Sequence, residues 1–171
     1  MTSQHDSPQH TLILGVGNLI MGDEGFGVRV ARRLKEIGLP DGVAVEEGGV
    51  GGFNLLGLLE GVSRLIVVDI MIADVPPGEV RFFRPGPGLS EPGKSIISFH
   101  QVGVLELVQM WGLLGYEPEI FFLVTRPEKV AWSTELSAPV RAAADKAVGL
   151  LEGLARDNFS GIERSLSLCT L

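Results

Sequence analysis

The chain is 171 residues long, 45% hydrophobic, and carries 23 glycines, one cysteine and a formal charge of -7. That length suffices for one well-buried core, and an acidic balance without any basic run excludes nucleic acid and anionic membrane surfaces as partners. No apolar stretch is long enough to span a bilayer, and the lone Cys169 excludes a disulfide framework and fits a reducing, cytoplasmic setting.

Residues 1–10 are polar, with no apolar h-region, and read as a flexible N-terminal extension instead of a signal peptide. A single α/β domain is expected over 11–156, with 157–171 a C-terminal tail. Thr11 to Val16 reads as a strand, and Gly25 to Gly38 as a helix in which Phe26, Val30, Leu34 and Ile37 recur at spacings of three and four. Val43 to Glu47 is a short second strand. The glycines of 48–52 then read as a tight turn, and Phe53, Leu55, Leu56 and Leu59 as a short helix. The continuous apolar run Leu65 to Val68, closed by Asp69, is the pattern of a strand buried on both faces, which implies a parallel sheet covered by helices.

Glu79 to Arg84 reads as a more exposed strand, because Arg81 and Arg84 interrupt its apolar residues. Pro85 to Gly93 is a proline- and glycine-rich loop. Val102 to Leu114 reads as a helix offering Val104, Leu105, Val108, Met110 and Trp111 for burial, and Glu119 to Val124 as the last strand. Leu136 to Leu154 is the last helix, with Val140, Ala144, Ala147, Leu151 and Leu154 on one face; the residues beyond Arg156 carry no periodic pattern. Strands alternating with helices predict a three-layer α/β fold: a mainly parallel, twisted sheet of about five strands with helices on both faces.

The turn after the first strand, Gly15-Val-Gly-Asn-Leu-Ile-Met-Gly-Asp-Glu-Gly-Phe-Gly27, has the strand–glycine–helix layout that cradles phosphates. Ile20 stands where a dinucleotide fingerprint needs its third glycine, no lysine follows, and Asp23 and Glu24 repel phosphate. The turn therefore suits a cation or a water to be activated. In a parallel sheet ligands bind beyond the carboxyl ends of the strands, and three polar side chains belong there: Glu24 after the first strand, Asp69 closing the third, and His100 before the helix near Val102. Two carboxylates and an imidazole suit a borderline divalent metal such as nickel or zinc, or acid–base work around a water. Each has a plainer reading as well: Glu24 as a first-turn acid, Asp69 as a turn cap, His100 as a helix-entry residue. Asp23 reads as a helix cap and Cys169 as an incidental tail thiol. Neither an H-E-x-x-H motif nor a G-x-S-x-G elbow is present.

These segments resemble the hydrogenase maturation endopeptidases. The resemblance is carried by Gly15 to Arg29, Gly48 to Leu56, Leu65 to Ile70, Pro77 to Val80, Ser98 to Gly103, Thr125 to Glu128 and Glu135 to Val140. It covers roughly Thr11 to Leu151. It implies an endopeptidase that removes a C-terminal peptide from the nickel-loaded large-subunit precursor of a nickel–iron hydrogenase. It also implies that Glu24, Asp69 and His100 are the metal-interacting and catalytic residues, and that the nickel is carried mainly by the substrate. A monomer is expected. Arg126 departs from the Gln or Glu common before that proline, which leaves the role of its side chain open. Two other readings stay open: a non-catalytic chaperone of the hydrogenase nickel site, and a nucleotide-binding α/β enzyme resting on Gly15-x-Gly17.

Overall fold

The computed structural model describes residues 10–49, 57–85 and 109–166. Five strands, β1 (His10–Val16), β2 (Val43–Gly49), β3 (Val62–Ile70), β4 (Val80–Phe83) and β5 (Glu119–Thr125), form one sheet in the order β2-β1-β3-β5-β4. β1 runs parallel to β2 and β3, and β3 parallel to β5, while β4 lies antiparallel to β5 at the edge. The helices are α1 (Phe26–Ile37), α2 (described over 109–113), α3 (Ala138–Arg156) and α4 (Ile162–Leu166).

The expected buried strand is β3. Successive side chains of a strand point to opposite faces, and those of β3 feed two separate cores. Ile66, Val68 and Ile70 pack with Phe26, Val30 and Leu34 of α1 and with Val140, Ala147 and Leu151 of α3. Leu65 and Val67 pack on the other face with Leu12, Leu14, Leu59 and Trp111. Each of these fully buried side chains contributes about 1.5–3 kcal/mol over its exposed state, so a polar residue anywhere in 65–68 would cost one core or the other. The edge strand is less exposed than its arginines imply. Phe82 stacks on Phe121 with centroids 5.7 Å apart, Phe83 on Phe122 at 5.8 Å, and Arg81 turns to Glu79 at 2.7 Å.

Three differences from the sequence-based expectation bear on the core. β2 continues through Gly48 and Gly49, because β1 offers a ladder partner that far: Val16 registers with Gly49, and Gly17 N donates to Gly49 O at 3.0 Å. Ile37 is exposed, since α1 ends there at Gly38, and Ala31 takes its place in the buried face. Beyond Arg156 the chain turns through Asn158 and Phe159, both at positive φ, and drops Phe159 and Ile162 into the core beside α3. Arg64 lies over the Phe159 ring, 5.0 Å from its centroid. The short helix expected at Phe53, Leu55 and Leu56, most of the loop Pro85 to Gly93 and the first part of the helix Val102 to Leu114 lie outside the described residues. Leu59 and Trp111 are buried as expected.

α1 reaches the sheet through glycine. A Cβ placed on Gly27 would stand 2.1 Å from Val68 O and 2.4 Å from Val16 O, backbone atoms of two central strands that cannot yield. Gly27→Ala therefore destabilises the fold by about 3 kcal/mol or more, an overpacking cost. Gly149→Ala, on the open face of α3 where a Cβ meets nothing within 4 Å, is neutral or stabilises by up to about 1 kcal/mol through helix propensity. Urea denaturation of the two variants checks the contrast; equal stabilities would refute the close-approach role of Gly27.

Candidate functional site

From β1 the chain leaves to β2 on one side, then returns to β3 on the other side of β1 and continues outward. The connections thus diverge between β1 and β3, and a crevice at the carboxyl ends of these two parallel strands is where such a sheet binds ligands. Glu24 and Asp69 belong to that crevice. A 3-10 turn, Gly22–Gly25, carries Glu24 directly after the β1 loop and packs against β3. Asp69 is the penultimate residue of β3, on the Leu65 and Val67 face.

The glycine loop holds Glu24 by its backbone. Gly17 has φ +138°, a conformation that glycine tolerates, and a Cβ there would lie 1.9 Å from the Glu24 carbonyl oxygen. Asn18 N donates to that same oxygen at 3.1 Å, Asn18 O accepts from Met21 N at 3.2 Å, and the Asn18 side-chain oxygen accepts from Ile20 N at 3.2 Å. The turn is therefore fixed before any ligand arrives, and Glu24 remains half-buried at its surface. Asp69 is wholly buried; its Oδ1 accepts from Ile70 N at 2.8 Å, which fixes the carboxylate plane at the strand end. One closed and one open carboxylate at neighbouring strand ends provide hard oxygen donors, or a base beside a ligand. His100 lies outside the described residues. Among the described residues no three His, Cys, Asp or Glu side chains stand together, so a three-ligand set built on Glu24 and Asp69 needs a member from beyond them.

Asp23 is not a helix cap. Neither the 3-10 turn nor α1 carries a side-chain cap, and the Asp23 side chain, fully buried, points away from both. Its Oδ2 accepts from Glu128 N at 2.9 Å, Lys129 N at 2.9 Å and Ser137 Oγ at 2.9 Å, and its Oδ1 accepts from Ser137 N at 2.7 Å. Ser137 is the N-cap residue of α3, so the carboxylate lies at the positive end of that helix. Backbone bonds continue the seam: Gly22 N donates to Ser133 O at 2.8 Å, Ser133 N to Ile20 O at 3.1 Å, and Arg29 donates to the Thr134 carbonyl. The acid of the glycine turn thus staples the segment after β5 to the segment after β1. Arg126, the departure from the family pattern, donates to the Val75 carbonyl, and Gly78 N donates back to Arg126 O at 2.9 Å. Its side chain ties together the exits of β3 and β5. A cleft of about 490 Å³ between α1 and α3 is lined by Arg29, Arg32, Arg33 and Arg141. Ion pairs with Glu47, Asp145 and Glu135 already engage three of them, which makes this cleft a charge-balanced helix seam.

Asp23→Ala leaves three amides and a hydroxyl without their acceptor, and a loss of about 3 kcal/mol is expected from such a deletion. Hydrogen exchange localises it: the amides of Glu128, Lys129 and Ser137 lose protection while those of β1 and β3 keep theirs. Unchanged exchange at the three amides would refute the staple.

Comparison with known proteins fits this architecture. The family model described as hydrogenase maturation protease matches residues 28–153. The hydrogenase expression/formation protein HupD of Bradyrhizobium diazoefficiens is 34% identical over 143 residues, covering 82% of this chain and 73% of that protein. The hydrogenase 2 maturation protease of Escherichia coli K12 is 32% identical over 157 residues, covering 89% and 93%. Among solved structures, the hydrogenase maturating endopeptidase HybD of E. coli superposes with a TM-score of 0.77 at 27% identity, covering 88% of this chain and 94% of that one. The NiFe hydrogenase maturation protease HybD of Thermococcus kodakarensis gives 0.74 at 31%, covering 86% and 99%. Of the three readings left open by the residues, these likenesses select the peptidase: the chain belongs to the hydrogenase maturation protease family and is an endopeptidase.

Proposed function

We propose that this endopeptidase removes a C-terminal peptide from the large-subunit precursor of a nickel–iron hydrogenase once nickel has been inserted, and that it acts as a cytoplasmic monomer. The observation that carries the reading is the placement of Glu24 and Asp69 at the carboxyl ends of the adjacent parallel strands β1 and β3. The nickel belongs to the substrate, held there by the precursor's own thiolates, and Glu24, Asp69 and His100 engage it from the enzyme side. Two oxygens and one imidazole suit a borderline divalent ion and leave coordination positions for the substrate.

In this mechanism contact with the metal sets the scissile bond beside Asp69, which is of the aspartyl type only in that a single carboxylate serves as base. Asp69 takes a proton from water as the water oxygen attacks the carbonyl carbon; the proton then passes to the departing nitrogen as the C–N bond breaks. A precursor without metal does not assemble this geometry, so cleavage reports on nickel insertion.

Asp69→Asn keeps the strand-end hydrogen bond to Ile70 N, and hence the fold, but lacks the base. Processing should fall by about 10²- to 10⁴-fold, the usual contribution of general base catalysis. Glu24→Gln and His100→Ala should weaken processing of the nickel-loaded precursor without changing thermal stability. The measurement is intact mass of the precursor after incubation, with and without nickel, alongside circular dichroism of each variant. A folded Asp69→Asn protein that cleaves at the parental rate would remove Asp69 from the role of base. Equal cleavage of nickel-free precursor would remove nickel from the mechanism.

A further inference from the structure

The exposed large hydrophobic side chains among the described residues are not scattered. Ile20 follows β1, Ile72 follows β3, and Val130 and Trp132 follow β5, with exposures of 47%, 57%, 44% and 79%. All four leave the carboxyl ends of the three central parallel strands, the same pole as Glu24 and Asp69. The other three, Ile37, Leu113 and Leu114, precede β2 and β5 at the opposite pole.

The segments bearing Ile20 and Trp132 are also joined. Met21 and Ser133 form an isolated parallel bridge, Ser133 N donates to Ile20 O at 3.1 Å, and the buried Asp23 carboxylate fixes Glu128, Lys129 and Ser137 on either side. Trp132 is therefore displayed on a stapled platform whose other half leads, four residues after Ile20, to Glu24. A solvent-facing tryptophan on a stapled segment, at the same pole as other exposed apolar side chains, is the composition of a protein-binding hot spot, where one aromatic anchor carries a large share of the affinity.

We infer that Ile20, Ile72, Val130 and Trp132 form the docking rim for the protein substrate, with Trp132 as anchor for an apolar surface of the precursor bordering the cleaved bond. The inference rests on the proposed function and names the contact through which that substrate is gripped. The occupant follows from continuity with the site. A second copy of this chain seated on the rim would cover Glu24 and close the crevice, whereas a precursor seated there delivers its peptide bond to it. The metal then reports on maturation, and the rim supplies the affinity that a transient metal contact does not.

The test uses Trp132→Ala and Ile20→Ser in the full chain, with nickel-loaded precursor as substrate. Trp132 is exposed, so melting temperatures should stay within about two degrees of the parent, as for surface substitutions generally. KM for the precursor should rise about 10- to 100-fold for Trp132→Ala, with kcat falling much less, because binding shared by ground and transition states is what is removed. In Asp69→Asn, whose processing is expected to be slow, precursor should shield Trp132 from iodide quenching; the chain's other tryptophan, Trp111, is buried and contributes little quenchable signal. An unchanged KM, or no shielding while the parent enzyme cleaves normally, overturns the docking rim and leaves the proposed function standing. A parent that sediments as a dimer at micromolar concentration and becomes monomeric on Trp132→Ala assigns the rim to a second copy and overturns it too. A parent that neither binds nor cleaves any nickel-loaded precursor overturns both readings together.

Discussion

The arrangement of the strand-end pole depends on one buried carboxylate. Asp23 has no solvent exposure, and the contacts described for it are three amides and a hydroxyl. Removing a carboxylate from water costs several kcal/mol. Hydrogen bonds to a charged acceptor return about 1.5–3 kcal/mol each, so four of them, at the N-terminus of α3, outweigh the penalty. The balance holds only while all four donors are in place. This makes the staple cooperative: the loop after β5 cannot drift without exposing the turn after β1, and the reverse.

The staple also explains how two adjacent acids end in unlike surroundings. In the 3-10 turn Gly22–Gly25, consecutive side chains diverge by the tight rotation of that helix. With Asp23 committed inward to the α3 terminus, Glu24 is left half-buried at the surface of the same turn. The glycine loop reinforces the division, because Gly17 lets the backbone fold against the Glu24 carbonyl. Among the described residues Glu24 is positioned by main-chain contacts, and its carboxylate is not consumed there in building its own support. Asp69 is positioned differently, by a strand that is paired on both sides with β1 and β5 and buried on both faces.

What could be read in the sequence was whatever a local pattern dictates. Leu65 to Val68 reads as a two-faced strand because the apolar run is short, rich in β-branched residues and closed by an acid, and the α3 face follows from its period. The strand-end positions of Glu24 and Asp69 were legible because the glycine turn and the apolar strand that carry them are local patterns. The role of Asp23 was not, since its partners lie 105 to 114 residues further along the chain. A carboxylate beside a helix start looks the same whether it caps that helix or reaches across to another. The extension of β2 to Gly49 was hidden for a related reason: glycine has low strand preference, and only the partner ladder on β1 carries it. Phe159 lies in a turn of two left-handed non-glycine residues and Ile162 just beyond it, which no periodicity foretells.

The same pole combines a fixed frame with the open donor set that the proposed mechanism assigns to it, and that combination suits conditional chemistry. Under the proposed mechanism Glu24, Asp69 and His100 leave coordination positions for the ligands of the substrate. The enzyme is then proposed to keep no nickel of its own, because one that did would treat loaded and empty precursors alike. Discrimination needs the metal contact to contribute a difference, and each tenfold preference corresponds to about 1.4 kcal/mol. The general affinity must then come from elsewhere, from contacts indifferent to the metal. Apolar side chains displayed on a stapled loop provide that kind of contact, since their burial is non-directional and unaffected by the charge of the ion. In the proposed mechanism, separating grip from test lets the enzyme bind a precursor firmly and still cut only when the metal completes the site.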